Sequence, residues 1–224
     1  MPPTNVATDH DIVVENSRDP MAGQTALARE TVNAMAGSIA DPGPLGLAAF
    51  ALTTFVLSAV NAGWVSKGVE PVVLGLALAY GGFAQILAGM WEFKKGNTFG
   101  ATAFTSYGAF WISFWAFVAL YATKVPKADV AHAVGIYLFA WSLFTLYMLV
   151  ASLRTTGAVA LVFFVLTITF FLLAFGEWGG NESLVKLGGW LGILTAIAAW
   201  YASMAGVVNS TFGKVVLPTK PLKA

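Results

Sequence analysis

Charged residues are absent from six long stretches of this chain, and each stretch is strongly apolar. Each run is about 20 residues long, which at about 1.5 Å of rise per residue spans a hydrocarbon core of about 30 Å. The runs do not alternate between apolar and polar positions, as the ten-residue strands of membrane barrels do. The pattern therefore predicts six transmembrane helices, near residues 44–64, 71–91, 100–122, 131–151, 156–176 and 186–208.

The segments outside these spans are polar. Residues 1–40 carry Asp and Glu together with Arg18 and Arg29, and they contain no apolar run of signal-peptide length. We expect them to be a disordered cytoplasmic tail that allows a short helix around 22–36. Residues 41–212 then form the transmembrane domain, and 213–224 form a short C-terminal tail.

Composition supports a membrane protein. Hydrophobic residues make up 58% of the chain, charged residues only 10%, and the mean hydropathy is +0.74, whereas about a quarter of the residues in soluble domains are charged. Cysteine is absent, which excludes disulfides and thiolate ligands. The predicted fold class is an all-α integral membrane protein with a six-transmembrane-helix bundle.

Basic residues are distributed unequally between the two sides of this bundle. The side with both termini carries Arg18, Arg29, Lys94, Lys95, Arg154, Lys214, Lys220 and Lys223, and the other side carries Lys67, Lys124, Lys127 and Lys186. Because cytoplasmic loops are enriched in Lys and Arg, we expect both termini to be cytoplasmic. The protein is then a multi-pass protein of the cell (plasma or inner) membrane.

Most intramembrane chemistry is excluded by the residues that the spans lack. No lysine lies inside a span to form a retinal Schiff base, and His10 and His132 cannot form a haem site inside the bundle. No Asp or Glu lies at mid-span, where proton relays place one, and no phosphate loop is present. We expect no enzyme activity, cofactor, metal or nucleic-acid partner. A pore, a carrier or a sensor remains.

The polar residues within the spans are uncharged, and the candidates lie in the first three spans. Gly81, Gln85 and Gly89 recur every four residues, so one helix face carries a single amide between two small residues. Gln85 can bond a neighbouring helix or line a pathway, and the two roles can coexist. Further candidates to line a pathway are Thr53, Thr54 and Asn61 in the first span and Thr102, Thr105, Ser106 and Tyr107 in the third. The Ser and Thr hydroxyls can instead bond the backbone of their own helix, as they commonly do.

Two predicted helix starts could favour an anion. Pro42 and Pro44 lack an N–H, which suits a first helical turn, and the free N–H groups there favour negative charge. The third span begins after "KKGNTFG" at 94–100, where Asn97 or Thr98 can act as an N-cap.

Several segments resemble the acetate uptake transporter family, also called the succinate-acetate permease family. "DPGPLGL" at 41–47 is similar to the family's N-P-x-P-L-G-L signature, and "YGGFAQILAGMWEFKKGNTFGATAFTSYGAFW" at 80–111 resembles its central block. Further similarity lies in "GIYLFAWSLFTLYM" at 135–148, "VFFVLTITF" at 162–170 and "FGKVVLP" at 212–218. The resemblance covers roughly residues 40–218. Asp41 departs from the signature, because it replaces an asparagine.

The resemblance implies a homohexamer in which each protomer carries its own pathway for acetate and related small carboxylates. An apolar constriction of the family corresponds to Phe50, Tyr107 and Leu166 here, and the signature contributes Leu45, Gly46 and Leu47. We expect a pathway without acidic residues, which would not repel a carboxylate. The residues allow either the anion or the neutral acid to cross, and they do not rank acetate, succinate, lactate, formate and bicarbonate.

Two alternative classes share the same bundle. One is a non-conducting sensor or receptor for small carboxylates, with the polar tail carrying its signal. The other is a purely structural membrane oligomer, which would leave the polar side chains of the first three spans without a task.

Overall fold

The computed structural model describes residues 20–37 and 39–222 of the chain. Six of its helices are long and apolar enough to cross a membrane, which confirms the predicted six-helix bundle. They are α2 (Gly43–Asn61), α3 (Lys67–Lys95), α4 (Thr98–Lys124), α5 (Val130–Ser152), α6 (Gly157–Trp178) and α7 (Glu182–Phe212). The first helix, α1 (Pro20–Gly37), belongs to a separate unit of the chain.

The predicted N-terminal tail is described only in part. Residues 1–19, on which most of that prediction falls, lie outside the described residues. Within the remainder, α1 covers the range that the sequence allowed for a short helix, and its described side chains are exposed.

The membrane helices begin and end where local chemistry requires it. Pro44 lies in the first turn of α2, where its missing N–H costs nothing. The Asn97 side chain caps α4 by accepting a hydrogen bond from the Gly100 N–H at 3.2 Å. Asn181 caps α7 in the same way. Gly96 ends α3 at a φ of 77°, a left-handed conformation that favours glycine.

Two of the membrane helices contain π-helical turns. One lies in α3 at Ala79–Ala84, and the other lies in α4 at Phe117–Tyr121. In a π turn each N–H bonds the carbonyl five residues earlier, rather than four, and such turns are frequent at functional sites. The α3 turn directly precedes Gln85, so it sets the direction in which that side chain leaves the helix.

Helix α7 packs along both α2 and α6, α5 packs on α6, and α3 packs on α4. Small residues permit these close approaches. A Cβ added to Gly192 would collide with Ser58, and one added to Gly188 would lie 2.7 Å from Leu173. Gly192 and Gly188 of α7 therefore pack against α2 and α6 of the same protomer.

The C-terminal segment after α7 is fixed against the bundle. Asn209 accepts hydrogen bonds from the Val216 and Leu217 N–H groups at 2.7 and 2.9 Å, and its amide donates to the Leu217 carbonyl at 2.8 Å. The Gly157 N–H donates to the Lys220 carbonyl at 2.7 Å. Residues 213–222 thereby supply an acceptor for the first turn of α6.

Candidate functional site

Four cavities follow one another through the bundle from the end with the C-terminal segment to the opposite end. They measure about 340, 20, 40 and 430 Å³. We name them the Asp41 vestibule, the Gln85 cavity, the Thr54 cavity and the Lys186 vestibule, after one residue that lines each. The two small cavities lie between the two large ones.

Neighbouring cavities share lining residues, so the four form a series. The first two share Leu47, Ala103, Phe104 and Phe163. Phe50 and Leu166 line both small cavities and therefore lie between them. Asn61 lines the Thr54 cavity and also the Lys186 vestibule.

The three residues of the expected constriction come together in the middle of this series. Phe50, Tyr107 and Leu166 all line the Gln85 cavity, and each is at most 5% exposed. The rings of Phe50 and Tyr107 lie 5.7 Å apart between centroids. They project from α2, α4 and α6, three helices that run in the same direction through the bundle.

The hydroxyl of Tyr107 is already engaged within the protein. It lies 3.0 Å from Thr145 Oγ1, and the Thr145 hydroxyl donates to the Trp141 carbonyl at 2.7 Å. Because Thr145 uses its proton on that carbonyl, Tyr107 is the donor of the first hydrogen bond. The phenol proton therefore points to α5.

Gln85 is 1% exposed and lines the Gln85 cavity, and its Oε1 has no hydrogen-bond partner among residues 20–37 and 39–222. The glycines on either side of it are packing positions. A Cβ on Gly81 would lie 2.6 Å from Thr53 Oγ1, and a Cβ on Gly89 would collide with Thr105. The Gly81/Gln85/Gly89 stripe thus packs through its glycines, while its amide meets a cavity.

Two residues that line the Thr54 cavity carry buried polar groups without protein partners among the described residues. Thr54 Oγ1 and Trp111 Nε1 make no hydrogen bond within the described part of the chain. Their residues are 7% and 2% exposed, and both line this cavity. The neighbouring Thr53 instead donates to the Ala49 carbonyl of its own helix at 3.0 Å.

Acidic side chains line the Asp41 vestibule. Asp41 Oδ1 accepts hydrogen bonds from the Gly43 N–H at 3.2 Å and from Lys95 Nζ at 2.9 Å. Glu92 is 2% exposed and accepts a hydrogen bond from the Asn97 side-chain amide at 2.8 Å. Asn97 therefore links the end of α3 to the start of α4.

The Lys186 vestibule mixes both signs of charge. Lys67 and Lys186 line it together with Glu177 and Glu182. Acidic side chains therefore line both vestibules, whereas the two small cavities have uncharged linings. The expectation of a pathway without acidic residues stays a prediction. Most of these charges lie at helix ends and loops, whereas Glu92 is buried within the last turn of α3.

The other candidate residues from the sequence line none of these four cavities. Leu45 is 45% exposed, and Gly46 lies directly against the Phe104 ring. Thr53 and Thr105 pack against glycines of α3, as described above. Thr98, Thr102 and Ser106 are exposed or half-buried at the start of α4.

Glu92 and Trp111 line cavities but were not singled out from the sequence. The predicted second span ended at residue 91, so Glu92 was placed outside the membrane, yet it lies three residues after Gly89 and continues the stripe that carries Gln85. Trp111 lies one helical turn after Tyr107 on α4, and this spacing was the available signal.

Comparison with known proteins agrees with this architecture. The sequence model of the GPR1/FUN34/yaaH family matches residues 24–224. The chain belongs to the GPR1/FUN34/yaaH family. The solved "Structure of the bacterial acetate channel SatP" is similar to the chain with a TM-score of 0.76 and 41% identity, and the match covers 81% of this chain and 99% of that one.

Several curated relatives of the chain are named as transport proteins. The "Succinate-acetate/proton symporter SatP" of Escherichia coli (strain K12) is 42% identical over 180 residues, which cover 80% of this chain and 95% of that protein. "Acetate permease A" of Emericella nidulans is 43% identical over 198 residues, covering 82% of this chain and 66% of the permease.

Proposed function

We propose that this protein is a membrane transporter or channel for acetate and related small carboxylates, with a pathway inside each protomer. One observation carries the proposal: cavities that share lining residues lie in series between the two ends of the bundle, and Phe50 and Leu166 line both of the small ones. The names of its relatives support acetate and succinate as substrates.

The narrow middle of the pathway suits a small organic acid. A charge at the bilayer centre costs at least about 2.5 kcal/mol, and a hydrated ion loses its water at an apolar constriction. A carboxylate can replace that water with the buried amide and hydroxyl donors on either side. Its methyl group meanwhile passes between Phe50 and Leu166.

The two ends of the proposed pathway are lined by charged residues, unlike its middle. The Asp41 vestibule adjoins the starts of α2 and α4, whose helix dipoles favour an anion, although Asp41 and Asn97 already accept hydrogen bonds from the Gly43 and Gly100 N–H groups. Lys95 pairs with Asp41 and offsets its negative charge at this end. At the opposite end, Lys67 and Lys186 line the same vestibule as Glu177 and Glu182.

A non-conducting sensor needs one ligand cavity that opens to one side. The series here includes a vestibule at each end of the bundle, together with the two small cavities between them. This arrangement favours conduction over sensing.

Uptake of radiolabelled acetate into vesicles that contain only this protein tests the proposal. We expect saturable uptake that unlabelled succinate, lactate, formate and bicarbonate inhibit to different degrees. A Leu166→Trp variant, which fills the constriction, should lose uptake while keeping its oligomer size. Uptake by the wild-type protein no greater than by empty vesicles would contradict transport.

The orientation of the protein is part of the proposal. Loops and ends on the side of the Asp41 vestibule carry Lys94, Lys95, Arg154, Lys214 and Lys220, which supports cytoplasmic termini in a plasma or inner membrane. The chain lacks cysteine, so single cysteines can be introduced without a background. Cysteines at positions 94 and 127 should react with an impermeant reagent from opposite sides; labelling from the same side would contradict six spans.

We also propose that the protomers assemble as a homohexamer, following the resemblance to the acetate uptake transporter family. Large apolar side chains on the outer face of α3 are exposed, among them Val72, Phe83, Leu87 and Trp91. Lipid or neighbouring protomers can cover them. Native mass spectrometry in mild detergent should give six chains, and a monomer under all mild conditions would contradict the assembly.

A further inference from the structure

We propose that Glu92 controls the entry of the substrate anion into the Asp41 vestibule: its ionised carboxylate repels the anion, and its protonated carboxyl admits it. The inference rests on the proposed transport of small carboxylates and adds a specificity-determining residue to it. Glu92 lines this vestibule and neither of the two small cavities, so it lies outside the narrow middle of the pathway.

The first support is that the carboxyl group of Glu92 is buried at the wall of the vestibule without a cation beside it. Glu92 is 2% exposed and lines this cavity of about 340 Å³. Its Oε2 accepts a hydrogen bond from the neutral Asn97 amide at 2.8 Å, and it forms no ion pair among residues 20–37 and 39–222. Proteins usually pair a buried charge, so an ionised Glu92 presents an uncompensated negative charge to an entering molecule.

The second support is the balance of charge around the vestibule. Asp41 and Glu92 are its charged lining residues within the described part of the chain, and those from α4, α6, α7 and the C-terminal segment are uncharged. Asp41, at the start of α2, pairs with Lys95 of α3 at 2.9 Å. Because that pair cancels its own charge, the state of Glu92 decides whether the vestibule is negative or neutral.

The third support is the position of the carboxyl group against the first turns of two helices. A Cβ added to Gly100 of α4 would lie 2.8 Å from Glu92 Cδ, and one added to Gly43 of α2 would lie 3.5 Å from Glu92 Oε1. The N-terminal end of a helix carries a partial positive charge, which favours a nearby anion. Glu92 therefore occupies the place where the dipoles of α2 and α4 would otherwise stabilise a substrate carboxylate.

Protonation of Glu92 changes both effects in the same direction. The neutral carboxyl no longer repels an anion, and it no longer offsets the positive ends of the two helix dipoles. Since a carboxyl group is negative only when it has lost its proton, the vestibule should admit the substrate anion more readily as the pH falls.

The test compares acetate uptake by wild-type protein and Glu92→Gln at several pH values from about 8 to about 4, around the range in which carboxyl groups titrate. Purified full-length protein is reconstituted in proteoliposomes, and uptake by empty liposomes is subtracted. Glu92→Gln removes the charge while it keeps the shape and an acceptor for the Asn97 amide. The measured quantity is the ratio of variant uptake to wild-type uptake at each pH, in which the titration of acetate itself cancels.

We expect this ratio to be about ten at pH 8 and low acetate concentration, because the repulsion between two close unit charges in a partly hydrated site lies between its values in water and at a protein surface. The ratio should fall towards one as the pH falls and the wild-type Glu92 takes up its proton. If Glu92 only held the helix ends together, its replacement would change uptake by the same factor at every pH.

Asp129→Asn is the matched control, because it also replaces one carboxylate by an amide. Asp129 is exposed at the start of α5, makes no side-chain cap there and lines none of the four cavities. Its ratio should be one at every pH. Glu92→Ala is the second variant, because it removes the carboxyl group without adding bulk beside Gly43 and Gly100; if Glu92→Gln does not fold, Glu92→Ala decides by the same ratio.

The outcomes separate this inference from the transport proposal. Wild-type uptake above that of empty liposomes, together with a ratio that does not change with pH, would overturn the role of Glu92 alone. Wild-type uptake no greater than that of empty liposomes would contradict transport and, with it, this inference. Misfolding of both Glu92 variants would assign the residue to stability and would also overturn the inference.

Discussion

The two halves of the pathway, which meet at Phe50 and Leu166, offer different hydrogen bonds to a substrate. The half with the Asp41 vestibule contains one buried amide, Gln85, whose Oε1 lacks a partner among the described residues. The half with the Lys186 vestibule contains Thr54 and Trp111, whose donor groups lack partners among the described residues. An amide can accept from an acid O–H as well as donate, whereas an indole can only donate.

Because of this difference, the two halves should favour different protonation states of the substrate. The amide of Gln85 complements both the neutral acid and the anion, while the donors of the Thr54 cavity complement the anion. A substrate that moves through the constriction therefore exchanges one kind of partner for the other. The apolar side chains between the halves keep the two environments separate.

The largest expected effect comes from removing that separation. Phe50→Ala or Leu166→Ala joins the two small cavities and enlarges the space for the substrate's apolar end. We expect lactate uptake to rise relative to acetate uptake by about tenfold, since one carbon in an apolar site is worth about that much discrimination. Competition assays with both labelled acids measure the ratio. Folded, assembled variants with the parent's substrate ranking would show that these residues do not select.

Gln85→Leu should have the next largest effect. The loss of a membrane hydrogen bond of about 1 kcal/mol lowers uptake about fivefold. Small carboxylic acids titrate near pH 4, so the neutral fraction grows as the pH falls. Because the Gln85 amide can partner both forms of the acid, we expect a similar fractional loss of uptake at pH 5 and at pH 7. If uptake persists at both pH values and only thermal stability falls, Gln85 is a packing residue.

Tyr107→Phe should mainly affect stability. The Tyr107 hydroxyl donates to Thr145 Oγ1 at 3.0 Å, and losing this bond should cost about 1 kcal/mol. Thr145→Val is the matched control, because it removes the same bond from the other side. Thermal unfolding should shift equally in the two variants, with acetate uptake close to wild type in both. A loss of uptake in Tyr107→Phe alone would show that the hydroxyl acts on the substrate.

The smallest expected effect concerns the charges at the two ends. Lys95→Gln leaves Asp41 unpaired and should raise the acetate KM about twofold at low ionic strength, since exposed pairs contribute at most about 1 kcal/mol. Screening should remove this effect in high salt. The Asp41→Asn/Lys95→Gln double variant should return to the wild-type KM. Lys186→Gln at the opposite end should behave like Lys95→Gln; an effect independent of salt would contradict an electrostatic role.

The six spans could be predicted because the length and hydropathy of each apolar run can be read from the sequence. The constriction trio came from family resemblance, since nothing about isolated Phe50, Tyr107 or Leu166 distinguishes them from other apolar residues in a membrane helix. The π turn before Gln85 could not be predicted, because the apolar residues Ala79–Ala84 do not differ in pattern from the rest of the span. Helix rotation and contact between helices decide such features.

The assignment of polar side chains needed the structure as well. Thr53 and Thr54 are adjacent residues of the same type. Thr53 bonds its own helix and packs on Gly81, whereas Thr54 lines a cavity. Sequence alone treats them alike. The pair Glu92–Asn97 was missed for a different reason, because α3 extends four residues beyond its predicted end at residue 91.

The π turn at Ala79–Ala84 makes α3 unusual in the way it could tolerate insertions and deletions. In a regular helix, the loss of one residue turns everything that follows by about 100°. A π turn already contains one residue more than an α-helical turn, so losing a residue there would restore regular winding and leave both flanking faces in place. The Gln85 side chain could then keep its direction through a length change that, elsewhere in α3, would turn it out of the pathway.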